Sequence, residues 1–161
     1  MTRALALIAA LAAAQLSMRP PQITIPGTDI VVRKGWRLSI DGGCRSAVPM
    51  DWRVESRGFF SSPSGWRLTV TSVPLTSWLA HKRQVQSTFD RDATLHEDSE
   101  RRLWIESRHD ALVQHYVAVN ANARACVGVL DIPARADTPA DDTVEVIIES
   151  IGLAPPTDPS R

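Results

Sequence analysis

The 161-residue sequence has no net charge, only two cysteines, and no apolar run as long as a membrane-spanning helix. Its 18 Lys and Arg side chains are balanced by 18 Asp and Glu, so no excess of positive charge attracts the chain to nucleic acid or anionic lipid. A helix needs about 18 or more apolar residues to cross a bilayer. The sequence therefore predicts no nucleic-acid partner and no stable membrane insertion.

Motifs for common cofactors and catalytic sites are also missing. There is no G-x-S-x-G nucleophile turn, no phosphate-binding glycine loop and no dinucleotide fingerprint. The four histidines lack the i, i+4 spacing of a zinc protease. The segments His96-Glu97-Asp98 and His109-Asp110 could each offer two zinc ligands, but both have the composition of solvated turns. We therefore predict no catalytic residue, no cofactor and no metal.

The first residues, 1–14, read MTRALALIAALAAA and have the three parts of a secretory signal peptide. Arg3 supplies positive charge, an apolar run follows, and three alanines end at Ala14. Cleavage after Ala14 and cleavage a few residues later both fit this pattern. A buried alanine-rich helix is the alternative. We expect the signal peptide to direct the chain to the periplasm or out of the cell.

The two cysteines, Cys44 and Cys126, are an even number in a chain predicted to be exported. The compartment is oxidising, so this count favours a disulfide between them. Such a bridge closes a loop of roughly 80 residues and stabilises the fold by about 4 to 4.5 kcal/mol. Two buried free thiols, or a catalytic or metal-binding thiol, are the alternatives.

The rest of the chain is predicted to form one folded domain between two loose ends. Residues 15–28 hold three prolines and are predicted to be a flexible N-terminal segment. Residues 29–153 are predicted to form a single α+β domain. Residues 154–161 are predicted to be a disordered tail.

Two segments have helical periodicity, and several others alternate between apolar and polar residues. Residues 77–89 place apolar side chains at helical spacing, and Ser77 or Thr76 can cap the first turn. Residues 138–152 begin with a threonine cap and a proline, and they carry an apolar i, i+3, i+4, i+7 stripe. Three alternating runs with short connections predict an antiparallel meander. These runs are residues 102–106, 112–119 and 125–132.

The second of these runs carries apolar side chains on both of its faces. Val113 and Val117 point one way, whereas Tyr116 and Ala118 point the other. A sheet covered on one side would leave one of these sets in water, but two helices on opposite faces would cover both. We therefore predict an α+β fold, a three-layer α/β/α sandwich with a largely antiparallel sheet. His115 shares the valine face and is predicted to be hydrogen-bonded and partly buried.

Three short motifs resemble those of PsbP/Mog-like domains. Residues 48–54 (VPMDWRV) look like the family's proline-gap-tryptophan opening, residues 59–65 (FFSSPSG) like its hairpin, and residues 147–151 (IIESI) like its terminal signature. The resemblance spans residues 36–153 and implies an antiparallel sheet between helices, in a non-catalytic module that contacts other proteins. The cysteine pair departs from the family pattern, and the metal and photosystem contacts of plant members have no matching residues here.

Trp104 is the best candidate for an exposed aromatic among the five tryptophans, because it shares a strand face with Arg102 and Glu106. Burial beneath a helix is the favoured interpretation, and exposure would make Trp104 a ligand contact.

We expect an exported, non-enzymatic accessory domain that contacts a protein or envelope component. A small-ligand or glycan binder with an aromatic patch around Trp104 is the second hypothesis. A hydrolase built on an unrecognised His, Asp and Cys arrangement is the third.

Overall fold

The chain divides into two compact units, residues 1–35 and residues 36–161. The computed structural model describes residues 22–24, 31–134 and 141–155. The predicted signal peptide lies outside the described residues, as do most of the predicted flexible segment and most of the predicted tail. In the first unit, strand β1 (Gln22–Thr24) pairs antiparallel with strand β2 (Val31–Arg33).

The second unit is α+β, as the alternation of strand-like and helical segments predicts. Its strands are β3 (Trp36–Asp41), β4 (Cys44–Pro49), β5 (Arg53–Ser56), β6 (Phe59–Ser61), β7 (Arg67–Pro74), β8 (Thr94–Asp98), β9 (Arg102–His109), β10 (Leu112–Asn120), β11 (Arg124–Pro133) and β12 (Gly152–Leu153). Its described helices are α1 (Trp78–Thr88) and α2 (Asp141–Ser150). Neither helix is long and apolar enough to span a membrane.

The described strands of this unit form two antiparallel sheets. Seven strands lie in the order β5-β6-β7-β11-β10-β9-β8, and three lie in the order β12-β4-β3. The predicted meander is the β9-β10-β11 part of the larger sheet, where Tyr116 lies opposite both Ile105 and Val129. The meander prediction is therefore confirmed.

Local signals set the start of α1. Ser77 precedes the helix in an extended conformation, and its hydroxyl accepts a hydrogen bond from the Ala80 N–H at 3.3 Å. This bond pairs one of the amide donors that every helix start leaves open. For α2, the predicted threonine cap and first-turn proline lie outside the described residues.

Alternation along the strands divides the buried apolar side chains into two clusters. Val117 of β10 belongs to the first core, whereas its neighbour Ala118 belongs to the second. Helix α2 contributes to the first core and α1 to the second. The first core includes Phe60, Leu68, Leu130, Ile147, Ile148 and Ile151, and the second includes Val85, Leu103, Ile105, Ala125 and Val127.

The end of α2 is held closely against both sheets. A Cβ atom placed on Gly128 of β11 would lie 2.3 Å from Cδ1 of Ile151, so any larger residue there would have to displace the Ile151 side chain. The hydroxyl of Ser150 accepts a hydrogen bond from the Ala47 N–H of β4 at 2.7 Å. Ser150, the serine of the IIESI segment, therefore has a direct structural role, which is to join the helix to the smaller sheet.

Cys44 and Cys126 form a disulfide, as their number in the sequence predicts. The S–S distance is 2.08 Å, the two Cα atoms are 5.5 Å apart, and both side chains are buried in the first core. Because Cys44 lies in β4 and Cys126 in β11, the bond links the three-stranded sheet to the seven-stranded sheet. A bridge across 82 positions removes much chain entropy from the unfolded state.

Candidate functional site

Five polar or aromatic side chains meet at the β8 end of the larger sheet, on the face of the first core. We call them the Glu106 cluster. Alternation along β9 places three of them on one face, the register with β10 sets a fourth opposite Glu106, and the last comes from an irregularity in β8. The cluster consists of His96, Trp104, Glu106, Arg108 and His115.

Glu106 is the centre of the cluster and is only 9% exposed. Its carboxylate accepts hydrogen bonds from Arg108 Nε at 2.5 Å and from His96 Nε2 at 3.0 Å. Burial raises the pKa of Glu106, but the hydrogen bonds from His96 and Arg108 outweigh it and hold the pKa below its usual value. The buried group is therefore a paired carboxylate rather than a neutral acid.

His115 lies behind this carboxylate and is 5% exposed, in agreement with the sequence prediction. Burial lowers its pKa, and this effect exceeds the opposing attraction of Glu106, whose oxygen lies 4.0 Å from Nδ1. The indole N–H of Trp104 donates to the same Nδ1 at 3.4 Å. An indole can only donate, so this bond requires an unprotonated Nδ1 and is compatible with the neutral ring.

Trp104 lies between the two sequence-based alternatives, neither fully exposed nor fully buried. Its ring packs against the first core, and the imidazole of His96 stacks on it with centroids 4.2 Å apart and planes 21° from parallel. A flat ligand that stacked on this ring face would have to displace His96. The proposed ligand contact at Trp104 stays a prediction.

A serine, a histidine and an aspartate also meet on the other side of β9. The Ser107 hydroxyl lies 3.1 Å from Nε2 of His109, and Nδ1 of that ring lies 3.7 Å from an Asp90 oxygen. These are the residue types of a hydrolytic triad, but Ser107 is only 2% exposed and the aspartate is beyond hydrogen-bond distance. A nucleophilic hydroxyl must be open to substrate, and this one is packed inside the sheet.

The other acidic residues singled out in the sequence have separate partners. Asp98 pairs with Lys82 and accepts from Gln86 at 3.0 Å, and Glu97 accepts from Ser99 at 3.0 Å. Within the described ranges, no three His, Cys, Asp or Glu side chains are placed to hold a metal ion. The consecutive acids after His96 therefore do not converge with it.

Sequence reasoning placed Trp104 on one strand face with Glu106 and singled out His115, but it did not bring His115 or Arg108 to Glu106. The alternation of β9 already put the tryptophan and the glutamate on one face. What was missing was the pairing register, which sets Glu106 directly opposite His115. His96 could not be foreseen, because it enters through the register shift between Leu95 and Glu97.

No family model and no curated protein matches the sequence. Among solved structures, the chain is similar to the solution structure of cyanobacterial PsbP (CyanoP) from Synechocystis sp. PCC 6803, with a TM-score of 0.46, 12% identity, and coverage of 82% of this chain and 98% of that chain. PsbP is also the family that the sequence motifs resemble. The likeness is one of fold.

A crystal structure from Bacteroides thetaiotaomicron is similar as well, with a TM-score of 0.42 and 12% identity. The match covers 86% of this chain and 50% of that chain, so the present chain spans half the length of the Bacteroides protein. Neither likeness carries an argument about function, which has to come from the contacts of this chain's own residues.

Proposed function

We propose that this protein is an exported, non-catalytic accessory domain that binds a protein or another envelope component through the Glu106 cluster. The observation that carries this proposal is the arrangement of charge at the β8 end of the larger sheet. There, a buried carboxylate holds the 75%-exposed side chain of Arg108 in a defined position beside His96 and Trp104. Arginine and aromatic side chains of this kind are frequent anchors of protein interfaces.

A binding role fits these residues better than catalysis does. In the Glu106 cluster, both carboxylate oxygens of Glu106 already accept hydrogen bonds. The hydroxyl of Ser107, which lies beside His109, is buried. Binding through exposed Arg108 needs no rearrangement of either group. A glycan binder that uses Trp104 fits less well, because His96 already covers one ring face.

Export is part of the same proposal and is supported by two features. The first 14 residues have a signal-peptide pattern, and the disulfide is of the kind that persists in oxidising compartments. We expect the processed chain in the periplasmic or secreted fraction, with an intact mass that corresponds to cleavage at or shortly after Ala14. An unprocessed chain in the cytoplasmic fraction would contradict export.

We further propose that the layers are α/β/α. The support is that α1 and α2 belong to different cores, which lie on the two faces of the β9-β10-β11 meander. Such an arrangement leaves the ends of the sheet, rather than its faces, free for contacts. The β8 end is where the Glu106 cluster lies.

The binding proposal is tested by capture from an envelope fraction with three versions of the processed protein as bait. Arg108→Ala removes the exposed cation of the cluster, and Arg53→Ala removes an exposed cation from β5, at the opposite end of the same sheet. We expect a reproducible component that Arg108→Ala recovers about tenfold less well than wild type and that Arg53→Ala recovers normally. Equal recovery by all three baits, or no component at all, would overturn the proposal.

A further inference from the structure

The proposed binding role uses the carboxylate of Glu106, which holds Arg108, but it assigns no task to the buried imidazole of His115. Nδ1 of His115 accepts the indole N–H of Trp104 at 3.4 Å, and Oε2 of Glu106 lies 4.0 Å from the same nitrogen. The donor needs this nitrogen unprotonated, whereas the carboxylate attracts a proton to it. One ring atom therefore stands between two opposing demands.

The charged and titratable groups that act on this ring come from the two neighbouring strands. They are Glu106 and Arg108 of β9 and His96 of β8. Leu130 lies opposite His115 on β11, β12 has no titratable side chain, and the described side chains that α2 contributes to the first core are aliphatic. Among the described residues around the ring, Glu106 is thus the carboxylate that can neutralise a proton on His115.

Once His115 carries a proton, one carboxylate has to serve three groups that differ in their access to water. Glu106 already accepts from His96 at 3.0 Å and from Arg108 at 2.5 Å. The imidazolium of buried His115 has little water to stabilise it and needs the carboxylate. The guanidinium of Arg108 is mostly exposed, so it exchanges the carboxylate for water at little cost. Arg108 is therefore the group that gives way.

We propose that His115 is a proton switch that controls the positions of Trp104 and Arg108. A proton from water adds to Nδ1, so the indole N–H of Trp104 loses its acceptor. The new N–H of His115 then donates to Oε2 of Glu106 as the gap of 4.0 Å closes. The carboxylate turns toward the imidazolium, and its hydrogen bond from Nε of Arg108 breaks. The proton returns to water when the pH rises, and the original contacts re-form.

The pH range of this switch follows from the surroundings of the ring. Burial lowers the pKa of His115, and this effect outweighs the attraction of Glu106, whereas His96 and Arg108 lower the pKa further. The ring is therefore neutral at pH 7, and the switch operates below about pH 6.5.

The switch has a consequence for binding that rests on the proposed function. If a partner binds to Arg108 held in place by Glu106, acid releases that partner, because the guanidinium is then no longer held. The switch itself does not depend on any partner and can be tested without one.

The test follows three side-chain signals of the ¹⁵N-labelled, disulfide-bonded chain by NMR between about pH 8 and pH 4.5. The signals are the ring nitrogens of His115, the indole N–H of Trp104 and the Nε–H of Arg108. We expect all three to change with one common midpoint below pH 6.5. Relative to the Nε–H of exposed Arg53, the protection of the Arg108 Nε–H from exchange with water should fall about tenfold across that midpoint, because one charge-assisted hydrogen bond is lost.

His115→Gln removes the titrating ring, so the Trp104 and Arg108 signals should lose this transition. His109→Gln, at an exposed histidine on the other side of β9, is the matched control and should keep the wild-type response. If His115→Gln does not fold, the three wild-type midpoints decide alone.

Three results would overturn the proposal. They are a His115 ring that takes up no proton in this range, Trp104 and Arg108 signals that stay constant or follow the ring of His96 instead, and a transition that persists in His115→Gln. These signals are recorded without a partner. Failure to capture a component through Arg108 therefore leaves the switch standing, and absence of the switch leaves the capture result unaffected.

Discussion

The two ends of the first-core face are stabilised by different physical interactions. Near Cys126, a covalent bond and closely packed isoleucines join the two sheets. Near Glu106, a carboxylate, two imidazoles and a guanidinium are held by hydrogen bonds. Apolar packing and a disulfide do not respond to protons, whereas the Glu106 cluster does. One face of one sheet therefore combines a pH-independent region with a pH-dependent one.

The largest loss of stability is expected on removing the disulfide. Replacing both cysteines, Cys44→Ala with Cys126→Ala, should lower the free energy of unfolding by about 4 kcal/mol, because the unfolded chain regains the entropy of the open loop. Urea denaturation followed by tryptophan fluorescence measures this loss. Wild-type protein under reducing conditions is the control and should show a similar loss. An unchanged urea midpoint would contradict the structural role of the bond.

The next largest loss of stability is expected where the end of α2 approaches β11. Gly128→Ala places a methyl group 2.3 Å from Cδ1 of Ile151, so we expect a loss of about 1 to 3 kcal/mol from overpacking. Ile151→Val removes that Cδ1 atom and should recover part of the loss in the double variant. Thermal and urea unfolding of the four proteins in this cycle measure the coupling. Purely additive losses would mean that the two residues do not compete for the same space.

Acidification should lower the free energy of unfolding in two steps, both of which arise in the Glu106 cluster. The folded-state pKa of His115 is lowered, so the unfolded chain binds a proton first, and stability falls as the pH drops below about 6.5. The pKa of Glu106 is lowered as well, so its contribution is lost as the pH falls further, below about 4.3. Urea midpoints between pH 8 and about pH 2 measure both steps.

His115→Gln tests the assignment of the first step. We expect the loss of stability between neutral pH and the second step to shrink in this variant, because the buried titrating group is gone. His109→Gln, at a histidine whose side chain is 55% exposed, is the matched control and should keep the wild-type slope. A control that flattens the profile as much as His115→Gln would place the first step elsewhere.

The smallest effect is expected on the second core, at the only tyrosine in the chain. Burial raises the pKa of Tyr116 to about 12, and its hydroxyl lies 3.1 Å from Nε2 of His81. Ultraviolet absorbance should therefore report phenol ionisation near that value in the folded protein and near 10 in denaturant. Because the raised pKa favours the neutral phenol, stability should fall only as the pH rises above about 10. Ionisation near 10 in the folded chain would contradict the burial.

Local sequence signals predicted much of the fold because they act over a few residues. The cap at Ser77 and the helical spacing after it predict α1 to within a residue of its observed start. Alternation on both faces of β10 predicts two separate cores, and the side chains of Val117 and Ala118 do divide between them. The even cysteine count predicts the bridge because the chain has just one way to pair two thiols.

The candidate sites were less accessible to sequence reasoning because each depends on distant strands. The separate three-stranded sheet exists because Gly152 pairs with Arg45 across more than a hundred positions, and no local pattern encodes that register. By itself, the amino-acid sequence determined which side chains would be apolar, which segments would be helical or extended, and which two thiols could pair, because these follow from residue chemistry and short-range periodicity. Only the tertiary structure decided which charges meet at Glu106, because that depends on strand registers set by the packing of the whole domain.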